Sequence, residues 1–183
     1  MANPGGDAVD LLMRDHRLVE QLFLQLDTAV AAGDEADQGE LAGRLIEELS
    51  VHAAIEEEVL YPAARQVPGT AARVDGSVAE HSELKALLAT LAGKEPGDDE
   101  FVEGFRRARD LVTSHVEEEE GELFPKLREG LDEHKLVTLR NNLAMARKTA
   151  PTSPPPANPV AAVADAASSL LDKAKDAIRH LTD

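Results

Sequence analysis

Two eleven-residue segments of this chain align without a gap. His52-Ala-Ala-Ile-Glu56-Glu57-Glu58-Val-Leu60-Tyr61-Pro62 matches His115-Val-Glu-Glu-Glu119-Glu120-Gly-Glu122-Leu123-Phe124-Pro125. The shared pattern H-x3-E-E-x2-L-[YF]-P recurs after 63 residues, and upstream Asp15-His16 and Glu80-His81 repeat 65 residues apart. The chain therefore reads as a duplicated pair of helices, each half contributing one histidine and then a His-x3-Glu. In a helix, residues four apart share a face one turn apart, so each imidazole stands beside a carboxylate.

The apolar residues give the frame. Val9, Leu12, Val19, Phe23, Leu26 and Val30 form a stripe at helical spacing, with His16 filling its gap. Gly33-Asp34 breaks the pattern, and a second helix is predicted from about Ala36 to Tyr61. After Pro68-Gly69 a third is predicted from Thr70 to Gly93, carrying Gly76 at a cost of about 1 kcal/mol relative to Ala. Ser77-Val78-Ala79-Glu80 is the competing start, since it has the form of a capping box. Lys94-Glu95-Pro96-Gly97-Asp98 is a loop by composition, a fourth helix runs from Phe101 through Phe124, and a shorter one spans Asp132 to about Lys148. Four long helices with short connections predict an all-α, up-down-up-down four-helix bundle.

The loops check the histidines independently. In an antiparallel pair, two residues at one height are equidistant from the connecting loop. The midpoint of His16 and His52 is 34, that of His52 and His81 lies between 66 and 67, and that of His81 and His115 is 98. All three fall on predicted loops, so all four histidines belong at one level, which also favours Thr70 over Ser77 as the third start. Burying so many polar groups without a partner ion is costly. The expectation is a metal site built from His16, His52, Glu56, His81, His115 and Glu119.

Ligand arithmetic predicts two ions. Two octahedral metals need about twelve positions. Four imidazoles, two bridging carboxylates and a shared oxo or hydroxo group leave one open position on each. Nitrogen and oxygen donors without sulfur suit iron or manganese, and zinc gains little from a six-coordinate cage. A ferritin-like site would need Glu-x-x-His twice, and no histidine here has a Glu three residues before it.

Composition removes other functions. The chain of 183 residues has no cysteine, and it carries 35 acidic against 19 basic residues for a net charge of −16. That excludes thiolate chemistry and argues against nucleic-acid binding through a basic surface. No leader-like segment or membrane-length apolar run is evident, so a cytoplasmic location is expected. Residues 149–159 are a Pro-rich linker, separating a bundle at 1–148 from an amphipathic helical tail at 160–183 that is expected to dock, self-associate or meet a protein partner.

The constellation His16, His52-x3-Glu56, His81, His115-x3-Glu119 resembles the hemerythrin-like, or HHE cation-binding, family over roughly residues 7–130. The resemblance implies a non-haem di-iron centre, oxo- or hydroxo-bridged, with His16 and His52 on one iron, His81 and His115 on the other, and Glu56 and Glu119 bridging. It implies a small ligand (oxygen, hydrogen peroxide or nitric oxide) and leaves open whether a catalase-like turnover or only sensing follows. Oxygen-carrying hemerythrins have a further histidine where this chain has Lys85, and they place the fourth-helix carboxylate five residues after its histidine rather than four. The expectation therefore moves from oxygen storage to chemistry or sensing. Among remaining candidates, Glu20 is expected on a solvated face. Tyr61 is expected to pack at a helix end, because it lies about 180° from His52 at 100° per residue. The run 117–120 is expected to be solvated apart from Glu119, and His134 and His180 are expected at the surface.

Overall fold

In the computed structural model, residues 6–155 are described. The expectations for the tail at 160–183, His180 included, lie outside them. Among the described residues there is no strand. Helix α1 is Ala8–Ala32, and α2 is Glu35–Ile55, which continues through one π turn, Glu56–Leu60, into α3, Tyr61–Ala64. Helix α4 is Ala71–Leu91, and α5 is Asp99–Glu118, which passes through a second π turn, Glu119–Leu123, into α6, Phe124–Gly130; α7 is Glu133–Ala146.

Local chemistry sets these limits. Asp7 and Asp10 form a reciprocal capping box at the start of α1. Gly33, at φ +69°, ends it in the left-handed conformation that glycine adopts without a Cβ penalty. Thr70 precedes α4 as expected, but its hydroxyl donates to the carbonyls of Ala64 and Val67 rather than capping the helix. Gly76 does lie inside α4. A Cβ there would meet the Arg73 guanidinium at 2.7 Å, so the glycine leaves room for the Arg73–Glu80 contact.

Both π turns end two residues before the motif proline. Pro62 and Pro125 lack an N–H, and each ring would clash with the carbonyl four residues back. The helix responds by closing wider bonds, from the Tyr61 N–H to the Glu56 carbonyl and from the Phe124 N–H to the Glu119 carbonyl. Each turn inserts one residue, which rotates everything after it by about 100° against an ideal helix.

Helix α1 packs against α2 and α5, and α4 packs against the same two, giving the predicted bundle. Helix α7 lies along α1 and the first π turn, burying Leu136, Leu139, Leu143 and Ala146. The core divides into two apolar layers. One holds Val9, Leu12, Ile55, Leu60, Leu123, Leu127 and Leu143; the other holds Val19, Leu22, Phe23, Leu45, Leu84, Leu88 and Phe105. The histidines fall between them in sequence on every helix, so the bundle carries a polar level between two dry halves. No helix of the described residues is long and apolar enough to cross a membrane.

Candidate metal centre

The six predicted residues are brought together. His16, His52, His81 and His115 are 2–7% exposed, and Glu56 and Glu119 are completely buried. The imidazoles converge in two pairs, with His16 Nε2 3.2 Å from His52 Nε2 and His81 Nε2 3.3 Å from His115 Nε2. Glu56 Oε2 lies 3.3 Å from His52 Nε2 and 3.4 Å from His81 Nε2, so it spans the pairs. Glu119 Oε2 does the same, 3.6 Å from both His16 Nε2 and His115 Nε2. Donor atoms of His16, His52, Glu56 and Glu119 form one compact group, and those of Glu56, His81 and His115 form a second.

The far edges of the rings explain why the Nε2 atoms face inward. His16 Nδ1 is 2.9 Å from Glu120, His81 Nδ1 is 3.1 Å from Glu57, and His115 Nδ1 is 2.7 Å from Glu80. A proton on Nδ1 satisfies each carboxylate and leaves Nε2 with a lone pair. The facing Nε2 atoms, 3.2–3.3 Å apart, are close enough to share a proton or to be joined by one metal cation. Two nitrogens bound cis on one ion at about 2.1 Å would stand about 3 Å apart. Glu56 Oε1 and Glu119 Oε2 have no hydrogen-bond partner, although both are buried. The donor set therefore fits a pair of metal ions.

Electrostatics agree. Burial works against charge on His16, and together with His52 it lowers the imidazole to about 4, against the pull of Glu56 and Glu120. Burial also opposes charge on His115, but contacts with Glu56 and Glu80 and the charge of Glu119 outweigh it and raise the ring to about 10. Burial would raise Glu56, yet His52, His115 and His81 hold it well below the carboxylate range. Burial and the charge of Glu56 push Glu119 well above that range. The side chains alone thus lack the positive charge to keep both central carboxylates ionised, and metal cations would supply it.

Two expectations need correction. Tyr61 is not a helix-end packing residue: its hydroxyl lies 3.0 Å from Glu119 Oε1 and 3.3 Å from both Glu56 Oε2 and His81 Nε2. The ideal-helix angle failed because the π turn removes about 100° of phase between His52 and Tyr61. Its counterpart Phe124 is rephased identically and stacks on His16, with centroids 5.7 Å apart. Glu120 is not merely solvated, since it holds His16 and is held by Arg17 at 2.6 Å. Lys85 is part of the same support, 2.7 Å from both oxygens of Glu57. The expectations for the other two candidates stand. Glu20 is exposed and pairs with Arg17, and His134 is exposed. The signal for Glu57, Glu120 and Glu80 was in the repeat itself, in the doubled glutamate and in the acid before His81.

A cavity of about 330 Å³ lies between α1 and α5 and reaches His16 and Glu120. Phe23, Val112 and Val116 line it, with Arg17, Glu20 and Arg109 among its polar walls.

The family model of the hemerythrin HHE cation-binding domain matches residues 7–127. The chain belongs to that family. The crystal structure of a hemerythrin HHE cation-binding domain-containing protein from Mycobacterium kansasii has the same fold. Its TM-score is 0.66 at 21% identity, over 78% of this chain and 86% of that one. A Nostoc protein named DNA nickase is 34% identical over 122 residues, which are 67% of this chain but only 34% of that protein. The chain thus matches about a third of that relative's length. Hemerythrin-like domains bind metal, and here the matched span contains all six clustered side chains.

Proposed function

We propose that this hemerythrin-like domain holds two iron ions and uses them to bind a small oxidant, with hydrogen peroxide as the substrate to test first. His16 and His52 would hold one ion, His81 and His115 the other, and Glu56 and Glu119 would bridge them. The observation that carries this reading is the pair of buried carboxylates, each within 3.6 Å of histidines from both pairs and each with a partnerless oxygen. An iron pair supplies two redox equivalents, which matches the two-electron chemistry of peroxide. A cytoplasmic setting, expected from the sequence, belongs to the same proposal.

The chain's own groups have separable tasks. The Nδ1–H groups of His16, His81 and His115 donate to Glu120, Glu57 and Glu80, keeping the rings in the metal-binding tautomer. Tyr61 holds a proton at the centre, because burial and the charges of Glu56 and Glu119 raise its phenol far above its ordinary value. It therefore acts as a hydrogen-bond donor to Glu119 and not as a phenolate. The cavity between α1 and α5 offers a small molecule a route to His16, past Phe23 and Val116.

Iron-loaded protein should release oxygen from hydrogen peroxide catalytically. Protein that carries two irons yet is inert to peroxide would remove turnover and leave ligand binding.

One observation favours a regulatory reading as well. Pro151, Ser153, Pro154 and Pro155, at the start of the linker, line a cavity together with Glu57 and Lys85. Glu57 holds His81, so the linker lies against the site's own support. Protease cleavage between 149 and 159 should then differ between iron-loaded and chelator-treated protein, and identical cleavage would count against this version.

A further inference from the structure

Three of the four histidines have a carboxylate in hydrogen-bond contact behind them, and His52 does not. Its Nδ1 is buried without a hydrogen-bond partner, 3.6 Å from Asp15 Oδ2. The other half of the repeat supplies an internal comparison. There, Glu80 divides its two oxygens, with Oε2 accepting from His115 at 2.7 Å and Oε1 taking Arg73 at 2.6 Å. On the His52 side the cation is Arg147, and its Nη2 contacts the same oxygen, Oδ2, that faces His52. Asp15 is also one methylene shorter than Glu80, so it has less reach to serve both. Arg147 follows the last residue of α7, beyond the span that matches the family model, and it also lies 3.7 Å from Glu48.

We infer that Arg147 is a positioning residue that draws Asp15 away from His52 and makes the His16–His52 position the weaker of the two metal positions. The inference rests on the two-ion reading given under Proposed function. Its physical basis is that a carboxylate accepting from Nδ1 raises the basicity of Nε2 and fixes the ring, and loss of such a partner typically costs 10–100-fold in metal affinity. His81 and His115 both have that support, whereas on the other side only His16 has it. The C-terminal end of α7 thus sets the inequality of the two positions through a single ion pair.

The test is anaerobic titration of the full chain with ferrous iron, in competition with a ferrous chelator, so that two binding steps are resolved. Wild-type protein should bind its second iron at least tenfold more weakly than its first. Arg147→Gln should release Asp15 to His52 and tighten the second step about tenfold, leaving the first within twofold. Arg147→Lys, which keeps a cation there, should retain the weak step. Asp15→Glu lengthens the carboxylate without removing Arg147 and should also tighten the second step, which guards against a failure of α7 to seat in the arginine variant. Asp15→Asn should leave both steps within twofold of wild type, because His52 does not use that carboxylate. Weakening of the second step in both Arg147→Gln and Asp15→Asn would overturn the inference, since Arg147 would then be presenting Asp15 to His52. Two equal steps in wild type would overturn it while sparing the two-ion reading. Uptake of no more than one iron would remove that reading itself.

Discussion

Replacing Tyr61 by Phe removes one hydroxyl from the middle of the cluster and leaves the ring. Phe124 occupies the equivalent register of the other half, so a phenyl ring is already tolerated at this place in the motif. The hydroxyl is buried, and its shortest contact is to Glu119 Oε1 at 3.0 Å. One O–H donates one good hydrogen bond, and Glu119 is its acceptor by distance. A hydrogen bond to a charged group contributes about 1.5–3 kcal/mol, which applies to Glu119 where metal keeps it ionised, and deleting the donor leaves a fully buried carboxyl oxygen without its partner. The hydroxyl's own burial cost is recovered, which sets the expected net loss at about 1–2 kcal/mol. For a chain of this size that is a fall in Tm of about 2–8 °C. Circular dichroism at 222 nm during heating reads it, in iron-loaded and in chelator-treated protein. A change below about 0.5 kcal/mol would mean that the hydroxyl is not the donor to Glu119 and that Tyr61 contributes only its ring.

Three further outcomes follow from the same geometry. Ferrous iron at about 100 times its dissociation constant should stabilise the fold by about 2.7 kcal/mol per independent site, and a Tm indifferent to iron would mean that no ion binds the native state preferentially. Chelator-treated protein should lose stability in acid through His16. Its imidazole stays neutral in the fold down to about 4, while in the unfolded chain it takes up a proton near 6.5. Its contribution is therefore present above about 6.5 and is lost as pH falls towards about 4, to the extent of roughly 3 kcal/mol. Urea unfolding across that range, compared between wild type and His16→Leu, checks it, and the same pH dependence in both would contradict it. Gly76→Ala should gain up to about 1 kcal/mol in helix propensity but push Arg73 off Glu80, so iron affinity should fall even where Tm rises. A gain in Tm with unchanged iron affinity would show that Arg73 can shift freely.

Which parts of this were legible in the sequence follows from the range of the interactions involved. Helix limits are local, and Gly33 and Thr70 marked two of them. The height of the histidines follows from counting residues to loops, and His16, His52, His81 and His115 do meet at one level. Tyr61 was misplaced because the count assumed 100° per residue through a segment where Pro62 forces a π turn. The clue was present, since a proline ten residues into each motif cannot sit in an undisturbed helix. The carboxylates behind the histidines were half legible. Their repetition marked Glu57, Glu80 and Glu120, but which ring each one serves, and that Asp15 pairs with Arg147 instead, depends on how neighbouring helices are rotated. Arg147 lay beyond reach, because its partner Asp15 is 132 residues away on another helix and no repeat points to it.

The most direct measurement of the central claim is the iron content of protein loaded with ferrous iron without air and freed of unbound metal, followed by its absorption on addition of hydrogen peroxide. The account predicts two irons per chain, near-ultraviolet absorption typical of a coupled ferric pair after oxidation, and loss of iron in Glu56→Ala and Glu119→Ala. A single tightly held ion, or none, with the fold intact would contradict it and leave the duplicated histidines with a structural role.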